Sequence, residues 1–162
     1  MNYHIRHILQ QDNAALAFAI RHNIELLNLP TQGTAHSDPT TDDLYNLFRQ
    51  PLSVYFVVQS DVGDVLGGCG IYPTQGLPNG CCELVRFFLL PQWHGKGIGK
   101  VLLQRCMDAA KKMGYKRIYL ESFPDMQAAV HLYVKYGFTR LDSPLGNTGH
   151  YACNVWMQCY LD

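Results

Sequence analysis

The chain has 162 residues, 48% of them apolar and 12% aromatic, and its thirteen basic and thirteen acidic side chains give a formal net charge of 0. That length and composition exclude a disordered segment, and one domain over residues 1–162 is expected. The absent net charge argues against broad nucleic-acid binding.

Residues Tyr3 to Leu9 alternate roughly and predict a first strand. Asp12 or Asn13 is placed to cap a helix over AALAFAIRHNIELL. LPTQGTAHSDPT, residues 29–40, is a turn-rich break, either a loop over a pocket or a poorly ordered connection. Thr41 to Arg49 reads as a short helix. SVYFVVQS and VLGGCGIY read as strands joined by a turn at Asp61 to Asp64. After a second turn, CCELVRFFLL predicts a long central strand ended by Pro91.

A helix is predicted from about Gly97 to Met113, with Ile98, Leu102, Cys106, Ala109 and Met113 on its apolar stripe. Lys111, Lys112 and Gly114 mark its end. Arg117 to Glu121 reads as a short strand. Pro124 is expected to open a further helix ending near Tyr136 and Gly137, and GHYACNVWMQCY supplies one or two closing strands. The strand–helix–strand–helix middle predicts an α/β sheet, with antiparallel pairing in its early hairpins.

The six cysteines form no CxxC pair, which disfavours zinc or a disulfide framework and predicts free thiols in a reducing compartment. MNYHIRHILQ has no apolar signal core, and no run approaches the length of a membrane span, so a cytoplasmic protein is expected. Charge is uneven: seven of the thirteen Lys and Arg lie between Lys96 and Arg117, against one acid, Asp108. That marks either a site for an anionic ligand or a solvated helix face.

The segment PQWHGKGIGK, residues 91–100, places three glycines between the central strand and the strongest helix. It fits neither GxxxxGK[ST] nor GxGxxG. Its physics still suits an anion: glycines allow close backbone approach, and the first helix amides have no internal partner. The alternative is a turn needed only for tight helix–sheet packing.

His94-Gly95-Lys96-Gly97-Ile98-Gly99, together with the flanking ELVRFFLLPQWHGKGIGKVLL and AAVHLYVKYGF, resembles the GNAT superfamily of N-acetyltransferases and its [Q/R]xxGx[G/A] motif. Two positions depart from the pattern. His94 stands where the family has Gln or Arg, and Met126 where many relatives have Asn. The resemblance implies a mixed, strongly bent β-sheet with splayed central strands flanked by helices. It implies acetyl-CoA as cosubstrate, held by Leu89 and Leu90 and by His94, Gly95, Lys96, Gly97, Ile98, Gly99 and Lys100. The amides of His94 to Lys100 would take the pyrophosphate. The Leu89 N–H, freed by a bulge there, would meet the thioester carbonyl.

The same resemblance implies direct acetyl transfer, in a ternary complex, to a primary amine of a small molecule or peptide. A non-catalytic acetyl-CoA-binding module is the alternative. Glu83, the only acid between Asp64 and Asp108, is the candidate base. It is otherwise a structural acid paired with Arg86 or a tyrosine, although strand parity sets Glu83 and Arg86 on opposite faces unless a bulge intervenes. Tyr133, distinguished from Tyr136 by its spacing to Gly137-Phe138, is the candidate acid beside the CoA sulfur, and otherwise a core aromatic. His150, expected to open the final strand, is a further substrate contact or an ordinary surface histidine. Asp38, Asp42 and Asp43 either attract a cationic amine or cap a helix, with Thr40 or Thr41 as the cap. No metal is expected. A homodimer through HYACNVWMQCY is one reading of that segment, and core filling is the other.

Overall fold

The apolar runs at 54–60 and 65–72 lack alternation, as strands covered on both faces do. The computed structural model, which describes residues 2–162, places them at the centre of one sheet. Its strands are β1 (Tyr3–His7), β2 (Val54–Ser60), β3 (Val65–Tyr72), β4 (Cys81–Leu89), β5 (Arg117–Ser122), β6 (Thr139–Leu141) and β7 (Val155–Tyr160). The helices are α1 (Asn13–Leu26), α2 (Leu44–Leu47), α3 (Ile98–Lys112) and α4 (Gln127–Lys135). The order across the sheet is β1-β2-β3-β4-β5-β7-β6. Every pairing is antiparallel except β4 with β5, which α3 connects.

The two faces carry separate cores. Leu102, Leu103 and Cys106 of α3 bury against Val58, Leu66 and Ile71, with Tyr133 of α4 in the same cluster. Leu16, Ile20 and Ile24 of α1 and Leu44 of α2 bury against Tyr55 and Val57 on the other face. The buried side of α3 lies slightly off the expected stripe: Leu103, Met107 and Ala110 are enclosed, while Ala109 and Met113 are half-buried. Among the described residues, no helix is long and apolar enough to cross a membrane.

The sheet bends at β4. Gly68 pairs with Phe88 and Gly70 with Val85, so β4 has one residue more than β3 between those pairs. The surplus is a bulge at Arg86, whose φ is 51°. Its cause is visible in β3. A Cβ at Gly68 or Gly70 would collide with the Tyr55 ring, so the two glycines leave the ring room to lie flat across the strand. The Tyr55 hydroxyl then donates a 2.7 Å hydrogen bond to the Arg86 carbonyl. A carbonyl displaced from the ladder thereby keeps a partner. The bulge expected beside Leu89 falls at Arg86 instead, because Tyr55 reaches that carbonyl.

Other boundaries also moved. Pro124 lies in a turn closed by the Met126 N–H on the Phe123 carbonyl (3.1 Å), and α4 starts after it. The helix expected over 41–49 is a tight turn, Pro39–Asp43, followed by the single turn of α2. The 29–40 break is tied down: the Thr41 hydroxyl donates to the Ala35 carbonyl (2.6 Å) and the Ala152 N–H to the Gly33 carbonyl (3.0 Å). His150 lies in the loop before β7, which begins at Val155. Val155, Met157 and Cys159 of the tyrosine-rich end point into the core, which supports core filling. β6, three residues with a charged centre, carried too little pattern to be expected.

Replacing Tyr55 with Phe leaves the Arg86 carbonyl without its donor. We expect a loss of about 1–3 kcal/mol, seen in urea unfolding as a lower midpoint at unchanged slope. Gly68→Ala should cost at least as much, because the added carbon meets backbone as well as the ring.

Candidate functional site

A parallel pair that separates early leaves backbone groups and side chains facing a gap. β4 and β5 pair only at Cys81–Arg117, Cys82–Ile118 and Glu83–Tyr119, then part. Two cavities flank the opening. The larger, about 380 Å³, runs past Leu89, Trp93, the glycine turn and the start of α4. The smaller, about 70 Å³, is lined by Glu83, Arg86, Glu121, Tyr133 and His150 among others. Phe87, Phe88 and Met126 border both.

At the mouth of the larger cavity, Gly95 (φ 72°) and Gly97 (φ 78°) are left-handed, which glycine alone adopts without strain. No atom lies within 4 Å of where either Cβ would be, so both face open space. Gly97 caps α3 with no side-chain acceptor. The amides of Gly95 to Lys100 have no backbone partner among the described residues. His94 is different: its N–H donates to the Pro91 carbonyl (3.0 Å). The Leu90 N–H likewise donates to the Leu66 carbonyl (2.8 Å). These two amides therefore drop out of the expected set of donors. The Lys96 ammonium sits 4.7 Å from the Trp93 ring centre, beside the turn.

With Leu90 bonded toward β3, strand alternation turns the Leu89 N–H the other way, toward the larger cavity. The next peptide, Leu89–Leu90, is pinned at both ends, its N–H on Leu66 and its carbonyl by side chains. The Leu89 carbonyl accepts from Asn23 Nδ2 (2.9 Å) and from His94 Nε2 (2.7 Å), so the His94 proton sits on Nε2. Asn23 is only 7% exposed and also donates to the Ala19 carbonyl (2.7 Å). Sequence reasoning missed it; the signal was an asparagine on the buried stripe of α1.

In the smaller cavity Glu83 is 6% exposed. Burial pushes its carboxyl up to about 7; the Thr74 hydroxyl, donating at 2.6 Å, pulls it down, and the charge of Glu121 raises it again. Glu121 accepts from Tyr119 (2.6 Å) and Thr148 (2.5 Å). The Tyr133 side chain is buried, and its hydroxyl has no hydrogen-bond partner among the described residues. Burial holds its phenol well above 10, so it stays protonated. Tyr136 borders neither cavity. Cys82 and Cys106 are fully buried, and burial raises the Cys82 thiol.

The bulge removes the parity objection: Glu83 and Arg86 line the same cavity. Arg86, 8% exposed, donates through Nη2 to Asp38 and to Thr40 (both 3.0 Å) and through Nε to Thr41 (3.3 Å). Asp38 also lies 2.8 Å from His150 Nε2. The His150 hydrogen bond, followed by those from Thr40, outweighs burial and holds the Asp38 carboxyl below the usual range. Asp38 and Asp43 cap, as the capping account expects, while Asp42 pairs with Arg21 (2.6 Å). Thr40 and Thr41 are not the caps: their hydroxyls serve Asp38, Ala35 and Arg86.

Comparison with known proteins gives one answer. The family described as "Acetyltransferase (GNAT) family" matches residues 21–138. The uncharacterized N-acetyltransferase YjgM of Escherichia coli (strain K12) is 40% identical over 154 residues, 94% of this chain and 92% of that protein. The spermine/spermidine N(1)-acetyltransferase of Bacillus subtilis (strain 168) is 32% identical over 96 residues, 56% of this chain and 60% of that protein. A GNAT-family acetyltransferase from Staphylococcus aureus Mu50 superimposes with a TM-score of 0.88 at 17% identity, covering 99% of this chain and all of that one. The yncA acetyltransferase of Salmonella typhimurium, solved with acetyl-CoA, has a TM-score of 0.76 at 22% identity, covering 100% of this chain and 95% of that one.

The Glu83 environment predicts a pH signature. A carboxyl at about 7 when folded, against its ordinary 4.5, favours the fold while protonated and loses that advantage as pH rises through this interval. Glu83→Gln should keep the neutral shape at every pH. Its stability relative to wild type should be near zero at about pH 4 and reach on the order of 3 kcal/mol at about pH 8, read by urea unfolding at both.

Proposed function

The chain belongs to the GNAT family of acetyltransferases, and on that footing we propose that its larger cavity takes acetyl-CoA and its smaller one a primary amine, for direct transfer in a ternary complex. The observation that carries this reading is the run of unpartnered amides from Gly95 to Lys100 at the mouth of a cleft that leads to the Leu89 N–H. Acetyl-CoA supplies an acetyl group already activated as a thioester. The residues fit it. Two left-handed glycines leave empty the space where side chains would stand. The helix N-terminus, Lys96 and Lys100 supply positive charge for a diphosphate.

The Leu89 N–H donates to the thioester oxygen as negative charge develops there. Asn23 and His94 bond the Leu89 carbonyl and so hold the residue on which that donor sits. An amine of ordinary pKa must lose a proton before it attacks, which costs about 4–5 kcal/mol at neutral pH. Glu83, with its carboxyl near 7, accepts that proton directly or through a water. The new N–C bond forms and the C–S bond breaks. Tyr133 hydrogen-bonds the departing thiolate; the proton that ends on sulfur is the second one the nitrogen loses on becoming an amide, passed on through the Tyr133 hydroxyl, which stays protonated overall. An acyl-cysteine intermediate on the enzyme finds no support, because Cys82 and Cys106 are fully enclosed and burial raises the Cys82 thiol.

The acceptor class is a primary amine of a small molecule or peptide. A small cavity favours a small amine, as does the name of the Bacillus subtilis relative.

Calorimetric titration with acetyl-CoA should give saturable heat, and its absence at millimolar ligand would sink the reading. Gly97→Val, at a φ of 78°, should weaken that binding at least tenfold. Tyr133→Phe should lower kcat by about 10²–10⁴ in a thiol-release assay, while acetyl-CoA affinity stays within about threefold. A near-wild-type kcat would remove Tyr133 from the chemistry.

A further inference from the structure

Building on the acetyl-transfer reading, we propose that the acceptor is a small primary amine that also carries a carboxylate, and that Arg86 binds this carboxylate through Nη1. A buried guanidinium normally has all its donors engaged. Arg86 engages Nε and Nη2 with Thr41, Thr40 and Asp38. Nη1 has no protein partner among the described residues. No fully enclosed side-chain nitrogen or oxygen lacks a partner, so Nη1 must keep contact with open space. Arg86 borders the small cavity that also holds Glu83 and Tyr133. One group with two N–H donors is therefore left over at the wall of the acceptor cavity, on a side chain 6% exposed.

The remaining contacts aim this donor rather than use it up. Asp38 neutralises part of the charge and fixes the guanidinium plane; His150 bonds the same carboxylate oxygen and so holds Asp38 in place. The bulge at Arg86 brings the guanidinium to the same wall as Glu83. The cavity thus has an acidic end, Glu83 and Glu121, and a cationic end, Arg86. A molecule with an amine and a carboxylate matches both ends. An extended polyamine would have to set one of its ammonium groups against Arg86, at about 70 Å³ of room.

The reaction balances without further reagents. The acceptor N–C bond forms and the thioester C–S bond breaks; one ammonium proton goes to Glu83, the second leaves the nitrogen as it becomes an amide and ends on the thiol by way of Tyr133; the carboxylate is unchanged.

The test is a thiol-release assay with the common amino acids and short ω-amino acids, each paired with its carboxamide and its decarboxylated amine, and with spermidine alongside. The expected result is turnover of at least one carboxylate-bearing amine, with kcat/KM at least about tenfold above both of its partners. Arg86→Lys should then raise KM for that amine by about tenfold or more with little change in acetyl-CoA affinity by calorimetry. Equal or faster turnover of the carboxamides or decarboxylated amines, or preference for spermidine, would overturn the proposal and leave acetyl transfer standing. So would silence of the whole panel with acetyl-CoA bound. Failure to bind acetyl-CoA at all would instead bring down the reading beneath it. The paired-substrate comparison needs no variant, so it decides the matter even if Arg86→Lys does not fold.

Discussion

A single buried hydrogen bond, from the Tyr55 hydroxyl to the Arg86 carbonyl, organises the centre of this protein. It holds an irregular residue inside a strand covered on both faces, where an unpaired carbonyl would be expensive. The bulge that results has two effects. It brings Arg86 to the same side as Glu83, and it bends β4 where the strand begins to leave β5. Both cavities lie along that departure. The glycines at 68 and 70 belong to the same device, since any side chain there would expel the Tyr55 ring.

The order of the elements was legible because the apolar runs and turn residues are strong. β2, β3, β4 and α3 fall within a residue or two of their expected limits. The turn at 91–97 was legible as a candidate anion site because its glycines stand directly before the strongest helix. What was hidden depended on contacts far apart in sequence. Nothing near Arg86 announces a bulge; it follows from Tyr55, thirty-one residues earlier. Asn23 could be seen only as a polar intruder on an apolar stripe until Leu89, sixty-six residues away, supplied its acceptor. Asp38 looked like a cap, and it is one. Its bonds to Arg86 and His150 were invisible because a capping carboxylate has a second oxygen whose partner the local sequence does not specify.

Glu83 and Tyr133 show how one kind of enclosure leaves two groups with different proton behaviour. The same enclosure lifts a carboxyl to about 7, where it exchanges protons readily, and lifts a phenol well above 10, where it keeps its own. Neither shift needs a special partner. Each follows from removing a charged form from water.

The two halves of the site differ in how they are assembled along the chain. The glycine turn lies within residues 89–100, and the outside contacts that hold it, from Asn23 and Leu66, come from earlier in the chain. The cluster beside the smaller cavity joins Asp38, Arg86 and His150, from the first quarter, the middle and the last tenth of the polypeptide. During synthesis the turn can therefore take shape before the cluster, which waits for the ribosome to release the C-terminal loop that carries His150. Over evolutionary time the same separation lets insertions or exchanges near residues 38 and 150 reshape the smaller cavity without disturbing the glycine turn beside the larger one.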